Sequence, residues 1–145
     1  MDLEKINGVA FSLPIQMRLA DTDNLGHINN ISYIAYLETI RTEWYSKLKN
    51  SRTYLDGDGW DWILGEINIR FMKEVNLSDN IKVLMWVSRI GSKSWDFEYV
   101  IVNQKNEIVT RATTTQIAFD YNAKRSQTIP DMIRLDLEQR LLVLD

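Results

Sequence analysis

The sequence predicts an α+β domain in which one long helix lies across an antiparallel sheet of about five strands. Three observations lead there. An apolar pattern of helical period begins at about Asn30, and the period changes to two beyond Asp61. The two-period segments that follow are joined mostly by links of hairpin length, which suits antiparallel neighbours and not the alternation of a doubly wound fold. At 145 residues, with no internal repeat and no Pro/Gly/Ser linker, residues 1–145 are expected to form one domain.

The elements follow in order. Residues 11–19 read as a short strand. Tyr33, Leu37, Ile40, Trp44 and Leu48 then recur at spacings of four, three, four and four, which sets them on one helix face. Ile31, Ile34 and Ala35 widen that face, so the start of the helix is expected to be buried and its polar KLKN end more exposed. DGDGWD, residues 56–61, is rich in turn formers. Ile67, Ile69 and Phe71 alternate with Glu66, Asn68 and Arg70. Ile81–Ile90 is apolar on both phases, as a central strand would be. Trp95, Phe97, Tyr99 and Ile101 form the next apolar phase. Residues 104–107 read as a hairpin turn into the β-branched run EIVTRATTTQIAFD.

Composition excludes several function classes. A net charge of −3, a pI of about 5.2 and scattered basic residues give no electrostatic footprint for nucleic acid. The absence of cysteine removes disulfides, thiolate metal sites and a cysteine nucleophile, and suits a reducing compartment. The acidic N-terminus has no signal-peptide pattern. No run approaches the roughly 20 apolar residues that span a bilayer. The expectation is a soluble, cytoplasmic protein with no membrane insertion.

The densest polar chemistry lies in residues 21–30, DTDNLGHINN. Read as a calcium loop, Asp21, Asp23 and Gly26 fall in register, but Leu25 and Ser32 occupy two ligand positions. One histidine and no cysteine make a poor zinc set, and no G-x-S-x-G elbow accompanies the histidine. No metal or other cofactor is therefore expected. The purely structural reading is a turn that ends in a helix N-cap at Asn29 or Asn30. The functional reading adds that a helix start offers unpaired N–H groups and partial positive charge. A carboxylate beside such an anion-binding end supplies a base or nucleophile plus oxyanion donors, the minimum set for acyl transfer.

The stretch ADTDNLGHINNISYIAYLETIRTEWY resembles the hotdog-fold acyl-CoA thioesterases of the 4-hydroxybenzoyl-CoA thioesterase branch. Their pattern is D-x-D-x-x-G-H-x-N-N followed by an aromatic-rich helix with E-x-x-R, here Glu38 and Arg41. EINIRFMKEVNLSDNIKV and TTTQIAFDYNAKRSQTIPDMIR extend the likeness to nearly the whole sequence. The resemblance implies a hotdog fold, hydrolysis of an acyl-CoA or acyl-ACP thioester, and no cofactor. It places the catalytic carboxylate on Asp23 and the carbonyl-polarising N–H at or next to Asn30. His27 and Asn29 match the motif in parts that shape the loop or position water, and His27 is grouped with Asp23 as a catalytic candidate. Gly26, Tyr33 and Glu66 are pocket candidates, with Glu66 ranked second as a catalytic carboxylate. Lys93, Arg111, Lys124 and Arg125 are candidate contacts for the CoA phosphates. Relatives often carry proline where this sequence has Glu74, a departure expected to alter the turn more than the chemistry. The resemblance further implies a homodimer or homotetramer with active sites between subunits. Two rivals stand beside hydrolysis: a non-catalytic acyl-binding module, and a hotdog hydratase or dehydratase built on His27 and an acid.

Overall fold

The computed structural model describes residues 1–48 and 60–145. Most of the turn expected at DGDGWD, residues 56–59, lies outside the described residues. The elements are α1 (Leu3–Val9), β1 (Phe11–Ile15), a 3-10 turn (Leu19–Asp21), α2 (Asn30–Ser46), β2 (Trp60–Phe71), β3 (Ile81–Ile90), β4 (Ser94–Val102), β5 (Ile108–Asp120), β6 (Arg125–Ser126) and α3 (Asp131–Glu138). The sheet runs β1-β3-β4-β5-β2 with antiparallel neighbours throughout, and the short β6 pairs with β5. β1 stops at Ile15 and not at Leu19, because the Arg18 N–H turns away to the Asp21 carboxylate and the chain bends into the 3-10 turn.

β3 lies between β1 and β4, as its apolarity on both phases requires. Ile81, Val83, Met85 and Val87 join Trp95, Phe97, Tyr99 and Ile101 of β4 in the core under α2. Leu84 and Trp86 face the other way, into a second core closed by Ile6 of α1 and by Leu142 and Leu144 of the C-terminal segment. Neither terminal helix was expected. α1 anchors on the single buried Ile6 and is capped by Asp2, whose carboxylate accepts the Glu4 and Lys5 N–H groups. One buried residue sets no period. α3 follows Pro130 and buries Ile133 and Leu137, four residues apart.

α2 buries Tyr33, Tyr36, Leu37, Ile40, Arg41, Trp44 and Tyr45. The expected burial of its first turns is corrected in one respect. Ile31 is 74% exposed, Ile34 39% exposed, and Ala35 is exposed too. At 3.6 residues per turn, Ile31, Ile34, Ala35 and Glu38 make a second stripe on the far side of the helix, not a widening of the first.

β2 changes phase midway. Its pairing with β5 shifts between Leu64 and Glu66, a bulge at Gly65, where an added Cβ would stand 2.9 Å from the Ile117 side chain. The extra residue lets Trp62 and then Ile67 and Ile69 all pack on the α2 side, although an odd spacing separates them. No helix among the described residues is long and apolar enough to cross a membrane.

Candidate active site

The 21–30 loop is tied down by its first aspartate. Asp21 is only 4% exposed. Its carboxylate accepts the Arg18 N–H at 3.0 Å, the Arg18 guanidinium at 2.9 Å and the Tyr36 hydroxyl at 2.8 Å. Burial pushes its pKa up, but the backbone bond, the Tyr36 bond and the Arg18 charge outweigh that, and the net displacement is downward. The Asp21 carbonyl also accepts the Asn29 N–H at 2.8 Å and the Ser32 hydroxyl at 3.0 Å, fixing the loop to the start of α2. Reading along the sequence did not single out Asp21 for this work; Arg18, three residues before it, is the only local sign.

Asp23 sits at the exposed tip. Its Oδ1 accepts the Leu25 N–H at 2.8 Å and the His27 N–H at 3.2 Å, while its own N–H goes to the His27 carbonyl at 2.8 Å. Gly26 takes φ of 82° in this tight turn, a conformation that L side chains enter at a cost. One carboxylate oxygen therefore shapes the loop and the other, Oδ2, accepts no hydrogen bond from the described residues.

Asn29 is the N-cap of α2: its Oδ1 accepts the Ile31 N–H at 2.9 Å and its carbonyl the Ser32 N–H at 2.9 Å. The Asn30 N–H, between them, has no partner among the described residues. Asn29→Ala is expected to cost about 1 kcal/mol in chemical or thermal unfolding, since one N–H at the helix start would lose its acceptor.

The loop faces the segment that follows β2 across a cleft of about 310 Å³, lined by Asp23, His27, Ile28, Asn30, Tyr33 and residues 71–75. Ile28 N–H donates to the Val75 carbonyl at 2.8 Å, locking the two walls together. The side chain of Glu74 reaches into the site: His27 Nε2 stands 3.2 Å from its Oε2. The residue expected to matter for the turn thus partners the sole histidine. Tyr33 packs edge-on against Phe71 with ring centroids 5.2 Å apart. Burial, and then the charges of Asp79 and Glu74, raise its pKa, so it stays a neutral phenol. Lys73 is engaged by Glu107.

The structure thus brings Asp23, His27, Asn30 and Tyr33 to one cleft, with Asn29 capping behind it and Gly26 turning the loop. It does not bring the others there. Glu66 is exposed and pairs with Thr115 on the strand phase opposite to Ile67 and Ile69. Arg111 lies beside Glu98 in a separate hollow with Asn68 and Arg70. Lys93, Lys124 and Arg125 gather near the Asp120 end of β5, whereas Phe71 and the cleft adjoin its Thr110 end. Among the described residues no three His, Asp or Glu side chains converge as a metal-binding group.

Comparison with known proteins finds thioesterase relatives. The model of the thioesterase-like superfamily matches residues 17–137. The acyl-CoA thioester hydrolase YbgC of Escherichia coli O157:H7 is 22% identical over 134 residues, 92% of this chain and all of the relative. The long-chain acyl-CoA thioesterase FadM of Escherichia coli K12 is 24% identical over 128 residues, 86% of this chain and 95% of the relative. Among solved structures, a predicted thioesterase from Bacillus stearothermophilus superposes with a TM-score of 0.84 at 20% identity, covering 94% of this chain and 99% of its own. At such identity the structural likeness is one of fold, and the fold is the hotdog.

Proposed function

The chain belongs to the thioesterase-like superfamily, and from that premise we propose that it hydrolyses acyl-CoA thioesters in the cleft between the 21–30 loop and residues 71–75. One observation carries this reading: a carboxylate oxygen and a helix N-terminal N–H, neither with a partner among the described residues, open onto the same cleft. The thioester carbonyl oxygen would take the Asn30 N–H. As the carbonyl carbon becomes tetrahedral, its oxygen gains negative charge, and a preorganised donor of this kind contributes about 3–4 kcal/mol to the transition state. Asp23 would either take a proton from the attacking water or attack the carbon itself and leave a mixed anhydride for water to open. Both routes break the C–S bond. Water supplies the hydroxyl of the acid and the proton that ends on the CoA thiol. His27, held by Glu74, would form the wall that orients water or the acyl group.

A second copy of the chain completes this proposal. Asp23 and Asn30 are exposed in one subunit, where bulk water weakens an oxyanion interaction. Phe71 and Met72 at the cleft and Ile31 and Ile34 on the outer face of α2 are exposed, and β2 is a twelve-residue edge strand with one side unpaired in the sheet. Pairing at that edge would cover the apolar groups and dry the cleft.

The test is thiol release from acyl-CoAs and acyl-ACPs with short, long and aromatic acyl groups, followed with a thiol reagent. Stoichiometric acid and thiol are expected from at least one acyl-CoA. Saturable binding without thiol release would replace this reading with that of an acyl-binding module, and a hydrated acyl chain with its thioester intact would replace it with a hydratase.

A further inference from the structure

Twelve residues into α2, on its buried side, lies a cation for which the described residues offer no anion. Arg41 is 2% exposed and no carboxylate among the described residues stands within ion-pair distance. Its Nη1 donates to the Tyr99 hydroxyl at 3.1 Å, which in turn is 2.6 Å from Thr114 Oγ1. Its guanidinium carbon lies 5.6 Å from the centre of the Trp62 ring, on which Tyr45 stacks at 5.2 Å. A guanidinium removed from water without an anion is costly, and cation–π and phenol contacts offset only part of that cost.

The surroundings repeat the same deficit. Arg41 Nε and Gln116 Oε1 are buried with no hydrogen-bond partner among the described residues, and the Tyr45 hydroxyl and Trp95 Nε1 have none but each other. The amide of Gln116 is oriented by its nitrogen, which donates to the Trp95 and Thr114 carbonyls at 3.2 and 3.3 Å. An idle guanidinium donor, with a hydroxyl and an indole N–H that have no partner but each other, calls for an acceptor-rich, negatively charged group; the Gln116 oxygen, itself an acceptor, adds nothing to that demand.

One apolar face joins this cluster to the cleft. The backbone of α2 lies closest to β1 and β3, and it meets β2 through side chains, Tyr33 on Phe71 and Tyr45 and Arg41 on Trp62. Ile69, Ile67 and Trp62 on the inner face of β2 are accordingly only half-buried, while their counterparts on β3 and β4 are closed off. These side chains make one apolar line along β2, from Tyr33 and Phe71 at the cleft to Trp62 beside Arg41. From Asn30 to Arg41 the helix advances about 16 Å.

We infer that Arg41, with Tyr45 and Trp95, is the far subsite of the acyl pocket and selects acyl groups that end in a carboxylate, the monothioesters of dicarboxylic acids. This rests on the thioesterase reading of the cleft: the thioester sits at Asn30, the apolar chain follows β2, and the free carboxylate pairs with the guanidinium fork.

The test compares kcat/KM for two CoA thioesters of equal chain length, one ending in a methyl and one in a carboxylate, with wild type and Arg41→Met. Wild type is expected to favour the carboxylate-ended substrate, and Arg41→Met to lower that preference by about thirtyfold or more, chiefly through KM. Arg41→Lys, which keeps charge but not the fork, should fall between. In parallel, the free dicarboxylate should raise the thermal stability of wild type and not of Arg41→Met. Thiol release with no preference for the carboxylate, and no stabilisation by the free diacid, overturns the subsite and leaves the thioesterase reading standing. No thiol release from any substrate, with the diacid still stabilising wild type, overturns the thioesterase reading instead. If Arg41→Met does not fold, the wild-type preference and the Arg41→Lys comparison decide alone.

Discussion

Asp23→Asn is expected to lower kcat/KM for acyl-CoA hydrolysis by about 10²–10⁴, the usual contribution of a positioned base or nucleophile. The substitution suits the geometry because Asp23 divides its work between two oxygens. Oδ1 accepts the Leu25 and His27 N–H groups and an asparagine oxygen can take its place. Oδ2 is the oxygen left to meet water or the carbonyl carbon, and an amide nitrogen there neither accepts a proton nor attacks. The loop should therefore survive while the chemistry is lost. Asp23→Ala would remove both functions together and so say less. Steady-state kinetics beside a thermal melt make the check: near-full activity in a folded Asp23→Asn sample would end the assignment of Asp23, whatever else the cleft does.

Periodicity carried most of the fold because each strand and α2 buries one face along several turns or pleats. It could even place β3 inside the sheet, since Leu84 and Trp86 needed a cover as much as Val83 and Met85 did. What it could not supply was the identity of that cover. α1 meets the sheet through buried Ile6 with Leu3 only partly buried beside it, and a seven-residue helix with so few anchors leaves no recurring signal. Ile31 and Ile34 misled for the converse reason: apolar residues look alike in sequence whether they meet the sheet or lie exposed on the other side of the helix.

The site divides in the same way. Residues 21–30 lie on one loop, so their cap, turn and carboxylate could be read together. Glu74 joins His27 only because Ile28 and Val75 hydrogen-bond, a pairing of distant segments that local spacing does not encode. Arg41 shows the limit best. It falls on the buried stripe of α2, where a helical pattern foresees a hydrophobic residue, and only the packed structure shows how few partners surround it.

Asp21→Ala should destabilise the protein by about 2–4 kcal/mol at neutral pH, since hydrogen bonds to a charged group contribute roughly 1.5–3 kcal/mol each and do not add fully. It would leave the buried Tyr36 hydroxyl and the Arg18 N–H without their acceptor. The sign of the pH dependence follows from the displaced ionisation. Asp21 has a folded pKa below its unfolded one, so its stabilisation is complete above the ordinary aspartate value of about 3.9 and is lost as pH falls through the folded value. Asp79 and Asp96 are displaced the same way, so the variant should retain part of the acid dependence and lose the share due to Asp21. Urea unfolding of both proteins at neutral pH and near pH 3 measures this as a gap that narrows on acidification; an equal gap at both would show that the Asp21 charge contributes nothing net. The same pair of variants separates the two aspartates of D-x-D. The Asp21 carbonyl, which holds Asn29 and Ser32, survives in alanine, so the cleft should remain assembled in whatever fraction is folded. Asp21→Ala should thus lower stability far more than turnover per folded molecule, and Asp23→Asn the reverse. If both variants lost activity and stability in parallel, the carboxylate of Asp23 would be one more structural tie in the loop, and the base or nucleophile would have to be sought elsewhere in the cleft.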